Sequence, residues 1–442
     1  MERVVLADII EVKLWGVTIG RMGYADDSDA AVFEYEDQIL NSGIEISPLM
    51  MSSTVKSHQF MDISANTFKG LSGVFADSLP DAFGTSVIDV YLAQQGVDIK
   101  NVTALDRLLY IRDRGMGALE YHLPESGRDN NRDNLVLDVS SLAEVANSIT
   151  KSKRSPDSKL FDVDGSVLNR FLRMGSSAGG ARAKALVATS PDGDFLDGTL
   201  NHGVDHDYWV IKFDSDSNKD RDGFDPKGMT KIEYLYTEIA SQIGIDTPRT
   251  SYFEENGNFH FLIERFDRLK VKGKLEKLHY ASWSGLSHAH RDTTGVYSYE
   301  QLVMVCRKMN MPQRTIEQLF RRAVFNVIGR NQDDHCKNHG FCMSKSGEWF
   351  LSKAFDLTYS YDPGGRWTRT HQIALNGELD GFSLEDLMVF GEYCNVSRIK
   401  AKEIVQQTLD AFSGIGQKMA CLDVPKDLAS TVVKNLRMLR VK

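Results

Sequence analysis

Apolar and polar positions change their rhythm along the chain, and the changes divide it. From Val4 to Val32 the chain is apolar-rich and β-branched, with Gly16, Gly20 and Gly23 as turn points. This pattern predicts short strands. Residues 86–94 and 103–111 read as helices. The segment 151–159 is polar, basic and broken by Pro156, which predicts a linker. Tyr208–Phe213 is a compact strand candidate, followed by a polar loop over 214–228. Ile232, Leu235, Tyr236, Ile239, Ala240 and Ile243 then recur at helical spacing, and Gly244 sits where a C-terminal cap belongs. Two strand-like runs flank Asn256-Gly257, a two-residue hairpin signal, the second running from Phe259 to Phe266. Leu319, Phe320, Ala323, Val324, Val327 and Ile328 line one face of a helix ending near Gly329. Trp349–Phe355 looks like a strand, and the final part of the chain looks mostly helical. Strands, one helix, strands and then mainly helices predict an α+β body with a small sheet-bearing lobe and a larger helical one.

Composition narrows the class. The chain has 442 residues, 42% hydrophobic and 26% charged, which excludes collagen-like, low-complexity and disulfide-scaffold proteins. Its net charge of −9 is concentrated at one end, because residues 1–100 hold 15 acidic and 6 basic side chains. An acidic module repels phosphate backbones, so bulk charge argues against nucleic acid as a direct partner. The 5 cysteines all lie beyond residue 300, which suits a reducing compartment better than a secreted scaffold. No apolar run is long enough to span a membrane, and Met1–Val5 does not begin like a signal peptide. The expectation is a cytoplasmic protein with no membrane contact.

The most informative stretch is Asn331-Gln332-Asp333-Asp334-His335-Cys336-Lys337-Asn338-His339, which directly follows an amphipathic helix. Phosphoryl transfer needs a carboxylate to orient the attacking hydroxyl and oxygen ligands for magnesium. Asp333 and Asn338 have the Asp-x4-Asn spacing of a protein-kinase catalytic loop, and Asp356 stands at a predicted strand end where a second magnesium ligand belongs. The usual His-Arg before the Asp is missing, and Leu357 replaces the glycine after Asp356. Alone, the spacing is better described as a polar loop capped by its own Asp and Asn. Gly175–Lys184 is rich in small residues whose N–H groups can close around phosphate, with Lys184 adding charge, but it matches neither the Walker nor the kinase glycine pattern and alone reads as a flexible turn. Lys212 lies in an apolar strand, where an ammonium calls for an anionic partner, and Glu233 on the next helix is the candidate. An exposed lysine on an edge strand is the plain alternative. The order of these elements is the one a protein kinase requires.

Here the chain resembles the HipA family of serine/threonine kinases, known as toxin halves of bacterial toxin–antitoxin modules. The likeness extends over nearly the whole length. It is carried by Gly175-Ser176-Ser177-Ala178-Gly179-Gly180-Ala181-Arg182-Ala183-Lys184, by Ile263-Glu264-Arg265-Phe266-Asp267 and by Asn331-x-Asp333-Asp334-His335-x-x-Asn338-x-x-Phe341. Leu79-Pro80-Asp81 and Arg112–Gly117 add to it. The resemblance implies a two-lobed protein-kinase-like fold with an additional N-terminal α/β module. The parts would be an acidic module over 1–150, a Gly-rich-loop and strand-Lys lobe over 151–268 and a mainly helical catalytic lobe over 269–442. It implies Asp333 as catalytic base, Asn338 and Asp356 as magnesium ligands, and Lys212 on the nucleotide phosphates. With Ser177, Ala178, Gly179, Gly180, Lys184 and Glu233, that lysine would form the ATP site, and Glu264 and Phe266 would hold adenine through their backbone. Ser177 matches a serine that family members autophosphorylate, with Ser176 one residue away. A phosphate there, adding about −1.5 to −2 charges, would repel the loop from ATP. Implied partners are a protein substrate, with an aminoacyl-tRNA synthetase as one target, and a small helix-turn-helix antitoxin through which DNA is met indirectly. The rival classes are a catalytically silent kinase fold in a repressor complex and a small-molecule kinase.

Other features read as bystanders. His335, His339, Cys336 and Cys342 match no standard zinc spacing. Asp214–Lys219 begins like a calcium loop but has Lys where the turn needs Gly, and the frame starting at Asn218 puts Met229 where Glu belongs. Trp209, Trp283, Trp349 and Trp367 read as packing residues.

Overall fold

In the computed structural model, the structure describes residues 8–25, 28–94, 96–124, 137, 142–145, 174–175, 182–214 and 226–439. The predicted linker over 151–159 lies outside them, as does most of the polar loop after Asp214. The chain divides into two compact units. The first comprises Met1–Phe213, Leu262–Ala281 and Cys342–Glu348, and the second Asp214–Phe261, Ser282–Phe341 and Trp349–Lys442.

The first unit opens with an antiparallel sheet ordered Ser57–Gln59, Ala31–Tyr35, Val17–Tyr24, Ile9–Leu14 and Leu119–His122. Its inward residues, among them Ile10, Val12, Leu14, Phe33, Tyr35 and Tyr121, are fully buried, while neighbouring positions are more exposed, the alternation expected of a sheet with one covered face. Gly16 makes a turn, as predicted, with φ 80°. Gly20 and Gly23 do not; both lie inside the strand Val17–Tyr24. Gly20 is there for space, since a Cβ would come within 2.3 Å of the Glu34 carbonyl oxygen on the paired strand. The helices Ala82–Gln94 and Ala104–Ile111 follow, the second started by a reciprocal Thr103–Asp106 capping box. Further on, Lys184–Thr189 pairs antiparallel with both Phe195–Asp197 and Asp207–Lys212.

In the second unit the helix Met229–Gln242 buries the predicted stripe, and Gly244 follows at φ 78°. Asn256 and Gly257, at φ 50° and 74°, turn the chain between Thr250–Glu255 and Asn258–Glu264. Both values are positive, as a tight two-residue hairpin requires. The helix Gln313–Gly329 buries Phe325, which packs edge-on to Tyr236 at 5.8 Å, while Tyr236 meets Phe412 at 5.2 Å. Such pairs each add about 0.5–1.5 kcal/mol beyond the area they bury. The end of the chain is helical as expected, over Leu384–Tyr393, Arg398–Ser413, Ile415–Cys421 and Lys426–Asn435. One strand is shorter than predicted. It stops at Leu351, so Asp356 is in irregular chain rather than at a strand end. Trp209 and Trp283 are buried, as packing residues should be.

Candidate functional site

The loop after the helix Gln313–Gly329 is fixed at its root. Arg330 adopts a left-handed conformation, φ 56°, and its N–H closes the helix on the Asn326 carbonyl. Asn331 then hydrogen-bonds the Asn326 side chain at 2.9 Å and accepts from Ser360 Oγ at 2.9 Å. Ser360 Oγ in turn accepts the Asp333 N–H at 3.2 Å. The loop is thus held to both the helix behind it and the irregular chain ahead.

Its two carboxylates have opposite environments. The Asp334 side chain is 0% exposed. It accepts from Tyr299 Oη at 2.7 Å, from His371 Nδ1 at 2.8 Å and from the Gln372 N–H at 2.8 Å. Burial alone would raise its pKa, but His371 and the other donors outweigh that and hold it below the usual carboxylate value. The Asp333 side chain is 30% exposed. Its Oδ1 accepts from Gln372 Nε2 at 2.9 Å, and its backbone carbonyl accepts from Asn338 Nδ2 at 2.7 Å. Asp333 Oδ2 carries no hydrogen bond among the described residues.

Asn338 ends the short 3₁₀ turn Cys336–Asn338. Asp356 sits in a left-handed backbone conformation, φ 52°, uncommon outside glycine and tolerated best by Asp and Asn. Asp356 and Asp333 both lie near enough to the His335 ring for their charges to act on it. Burial lowers the His335 pKa, with Arg291 reinforcing, while the negative charges of Asp333 and Asp356 both oppose the shift. Both carboxylates therefore act on one imidazole. Two carboxylates and an amide oxygen are hard donors, and a magnesium ion that keeps waters and phosphate oxygens takes only one or two carboxylates from the protein. The residues present fit such an ion. Among the described residues no three His, Cys, Asp or Glu side chains cluster as a metal cage, and Cys336 Sγ is occupied with the Ala289 carbonyl.

The first unit holds the lysines. Lys184 and Lys212 are directly opposed register partners on neighbouring antiparallel strands, and both are buried. Like charges so placed repel each other. Asp81, from the Leu79-Pro80-Asp81 turn, places Oδ2 at 3.9 Å from Lys184 Nζ and receives the Gly84 N–H on Oδ1. Two buried ammonium groups suit an anionic ligand. Glu264 ends its strand half-buried, and Phe266 packs on Tyr280 at 5.8 Å. Glu233 is buried in its helix in the second unit, whereas Lys212 belongs to the first. Ser176, Ser177, Ala178, Gly179 and Gly180 lie outside the described residues. Asp214, the first residue of the calcium-like frame, accepts the Gly228 N–H at 3.1 Å and so joins the two ends of that loop.

Two family models match the chain. The HipA-like C-terminal domain covers residues 176–414, more than half of it, and the HipA N-terminal domain covers 10–122. The chain belongs to the HipA family. Lys184, Lys212, Asp333, Asn338 and Asp356 lie within the HipA-like C-terminal domain, and Asp81 lies within the HipA N-terminal domain. Among solved structures, the chain is similar to one from the Shewanella oneidensis MR-1 toxin–antitoxin complex of HipA, HipB and operator DNA. The identity is 18%, the TM-score 0.65, and the match covers 96% of this chain and 94% of that one. This likeness establishes the fold, an α+β kinase-like body with an N-terminal module. The Helicobacter pylori proinflammatory kinase CtkA is a more distant match, with 11% identity and TM-score 0.31, covering 51% of this chain and 92% of that one. No curated protein matches the chain. Among the described residues no helix is long and apolar enough to cross a membrane.

Sequence reasoning left out Tyr299, Ser360, His371 and Gln372. A partial signal existed: Asp333 and Asp334 are adjacent in irregular chain, and a carboxylate turned inward must find donors. Nothing local names those donors, because His371 and Gln372 lie 37 and 38 residues further on.

Proposed function

We propose that this HipA-family chain is a serine/threonine protein kinase that uses ATP and magnesium. The observation that carries the reading is the contrast within Asp333-Asp334: one carboxylate is buried and saturated, and the other is anchored through Oδ1 with Oδ2 open. Asp333 would orient a substrate Ser or Thr hydroxyl and take its proton at Oδ2 as the oxygen attacks the γ-phosphorus of ATP, whose bond to the β,γ-bridging oxygen breaks to release ADP. Asn338 and Asp356 would hold magnesium, which supplies charge neutralisation at the phosphate oxygens. Lys212 and Lys184 would bind those oxygens together with the backbone of Ser177, Ala178, Gly179 and Gly180, with Glu233 as a charge partner. Glu264 and Phe266 would present backbone groups to adenine.

In this reading residues 1–150 form a partner-docking module, 151–268 bind the nucleotide and 269–442 carry out transfer. Ser177 is the proposed autophosphorylation site that turns the enzyme off. The Shewanella complex contains HipB and operator DNA. By analogy, a small helix-turn-helix antitoxin is the proposed partner, with DNA reached only through it. We propose a toxin acting in the cytoplasm on a protein such as an aminoacyl-tRNA synthetase.

The test is incubation of the purified chain with magnesium and γ-labelled ATP, alone and with cell extract, followed by mass spectrometry. Label on Ser177 and on a protein Ser or Thr is expected. Asp333→Asn and Asp356→Asn should each lower transfer by about 100-fold or more without lowering the melting temperature. Undiminished transfer in both variants overturns the assignment. Label found only on a metabolite indicates a small-molecule kinase, and binding without turnover a silent module.

A further inference from the structure

Gln372 touches both members of the carboxylate pair, and with different groups. Its backbone N–H donates to Asp334 Oδ1 at 2.8 Å, and its side-chain Nε2 donates to Asp333 Oδ1 at 2.9 Å. The residue before it, His371, holds the other oxygen of Asp334. His371 and Gln372 are themselves held, since the His371 N–H donates to the Leu379 carbonyl at 2.9 Å and the Gln372 carbonyl accepts the Gly295 N–H at 2.9 Å. Both residues are buried. The Gln372 amide therefore starts from a backbone fixed to Asp334 and spans to Asp333.

We infer that Gln372 is a positioning residue for Asp333, setting which carboxylate oxygen faces the substrate hydroxyl. The inference rests on the kinase reading given above. A free carboxylate rotates about its Cβ–Cγ bond and presents either oxygen. An amide donor on Oδ1 fixes the plane and leaves Oδ2 as the acceptor. His335 Nε2, 3.9 Å from the same Oδ1, is beyond hydrogen-bond range, so the amide of Gln372 is the donor that fixes it. Asp334 cannot serve in place of Asp333, since both of its oxygens are occupied. Each carboxylate has one task, and Gln372 is the residue that separates the tasks.

A positioning role predicts a loss in turnover rather than in binding. Gln372→Met keeps the length and the backbone N–H to Asp334 and removes only the amide donor. Gln372→Glu keeps the shape and places a second carboxylate against Asp333. In steady-state assays of the full chain, Gln372→Met should lower kcat by about 10- to 100-fold, with the KM for ATP within about twofold and an unchanged melting temperature. Gln372→Glu should lower kcat further. A merely structural role would instead reduce the melting temperature and leave the kcat of the folded fraction alone. If the wild-type chain transfers phosphate and both variants match its kcat, the positioning role is overturned and the kinase reading stands. If the wild-type chain transfers nothing under any of these conditions, both are overturned.

Discussion

Each unit contains a buried carboxylate surrounded by donors, and the two clusters do different things. In the first unit Asp267 is fully buried and accepts from Arg265 at 3.0 and 2.9 Å, from Arg268 at 2.6 Å and from the Gly117 N–H at 2.7 Å. Arg265 also donates to the Gly115 carbonyl at 3.1 Å. Burial would raise the Asp267 pKa, yet the two guanidinium groups drive it far below the usual range. The cluster is closed, with no carboxylate oxygen left for a ligand. It ties the Arg112–Gly117 turn to a segment 150 residues away. In the second unit Asp334 is equally closed, but its neighbour Asp333 keeps an open oxygen and partial exposure. Saturated burial marks scaffold, and the partly satisfied carboxylate beside it is the one we propose for chemistry.

That contrast can be broken by substitution. Asp267→Ala leaves two buried guanidinium groups facing each other and should cost about 3–5 kcal/mol, read as a lower denaturant midpoint. Asp334→Ala strands Tyr299, His371 and the Gln372 N–H, and the expected loss is about 3 kcal/mol by the same measurement. Asp333→Ala removes one side-chain hydrogen bond at a partly exposed site and should cost about 1 kcal/mol or less. An Asp333→Ala variant as unstable as Asp334→Ala would mean that both carboxylates are scaffold.

Acid should sharpen the comparison more gently. Burial lowers His260, His288 and His339 in the second unit, and His279 in the first, to about 4. Each binds a proton more readily when unfolded, where its pKa is about 6.5. Between these values the unfolded chain carries more protons, so stability is fully present above pH 6.5 and falls as the pH drops toward 4. Each histidine contributes at most about 1.4 kcal/mol per pH unit. Hydrogen exchange at pH 7 and pH 5 should show the second unit, which holds three of these histidines, loosening more than the first, which holds one. Equal loosening in both units would show that acid does not distinguish them.

Some of this was legible in the sequence and some was not. Asn256-Gly257 marked its hairpin, and the apolar stripes marked the helices Met229–Gln242 and Gln313–Gly329, because those signals act within a few residues. The strand-end position expected for Asp356 failed for a related reason. Trp349–Phe355 is apolar enough for a strand, but ladder formation ends at Leu351 and the chain then turns into irregular structure. Gly20 and Gly23 looked like turns because glycine usually is one; Gly20 is instead a gap that lets two strands close. The structure hydrogen-bonds Asn338 to Asp333, a pair that the spacing had singled out, whereas nothing in the spacing pointed to Gln372 or His371.

By itself, the sequence determined most of the local elements and the acidic character of the N-terminal region, since periodicity and turn residues are properties of neighbours along the chain, and its motifs carried the resemblance to the family. The tertiary structure alone decided which of two adjacent aspartates is buried. It also set Lys184 against Lys212 across a strand pair and put Gln372 on Asp333. Those outcomes depend on which distant segments supply donors once water has been excluded. A buried charge is settled by partners brought together through folding, and no spacing along the chain encodes them.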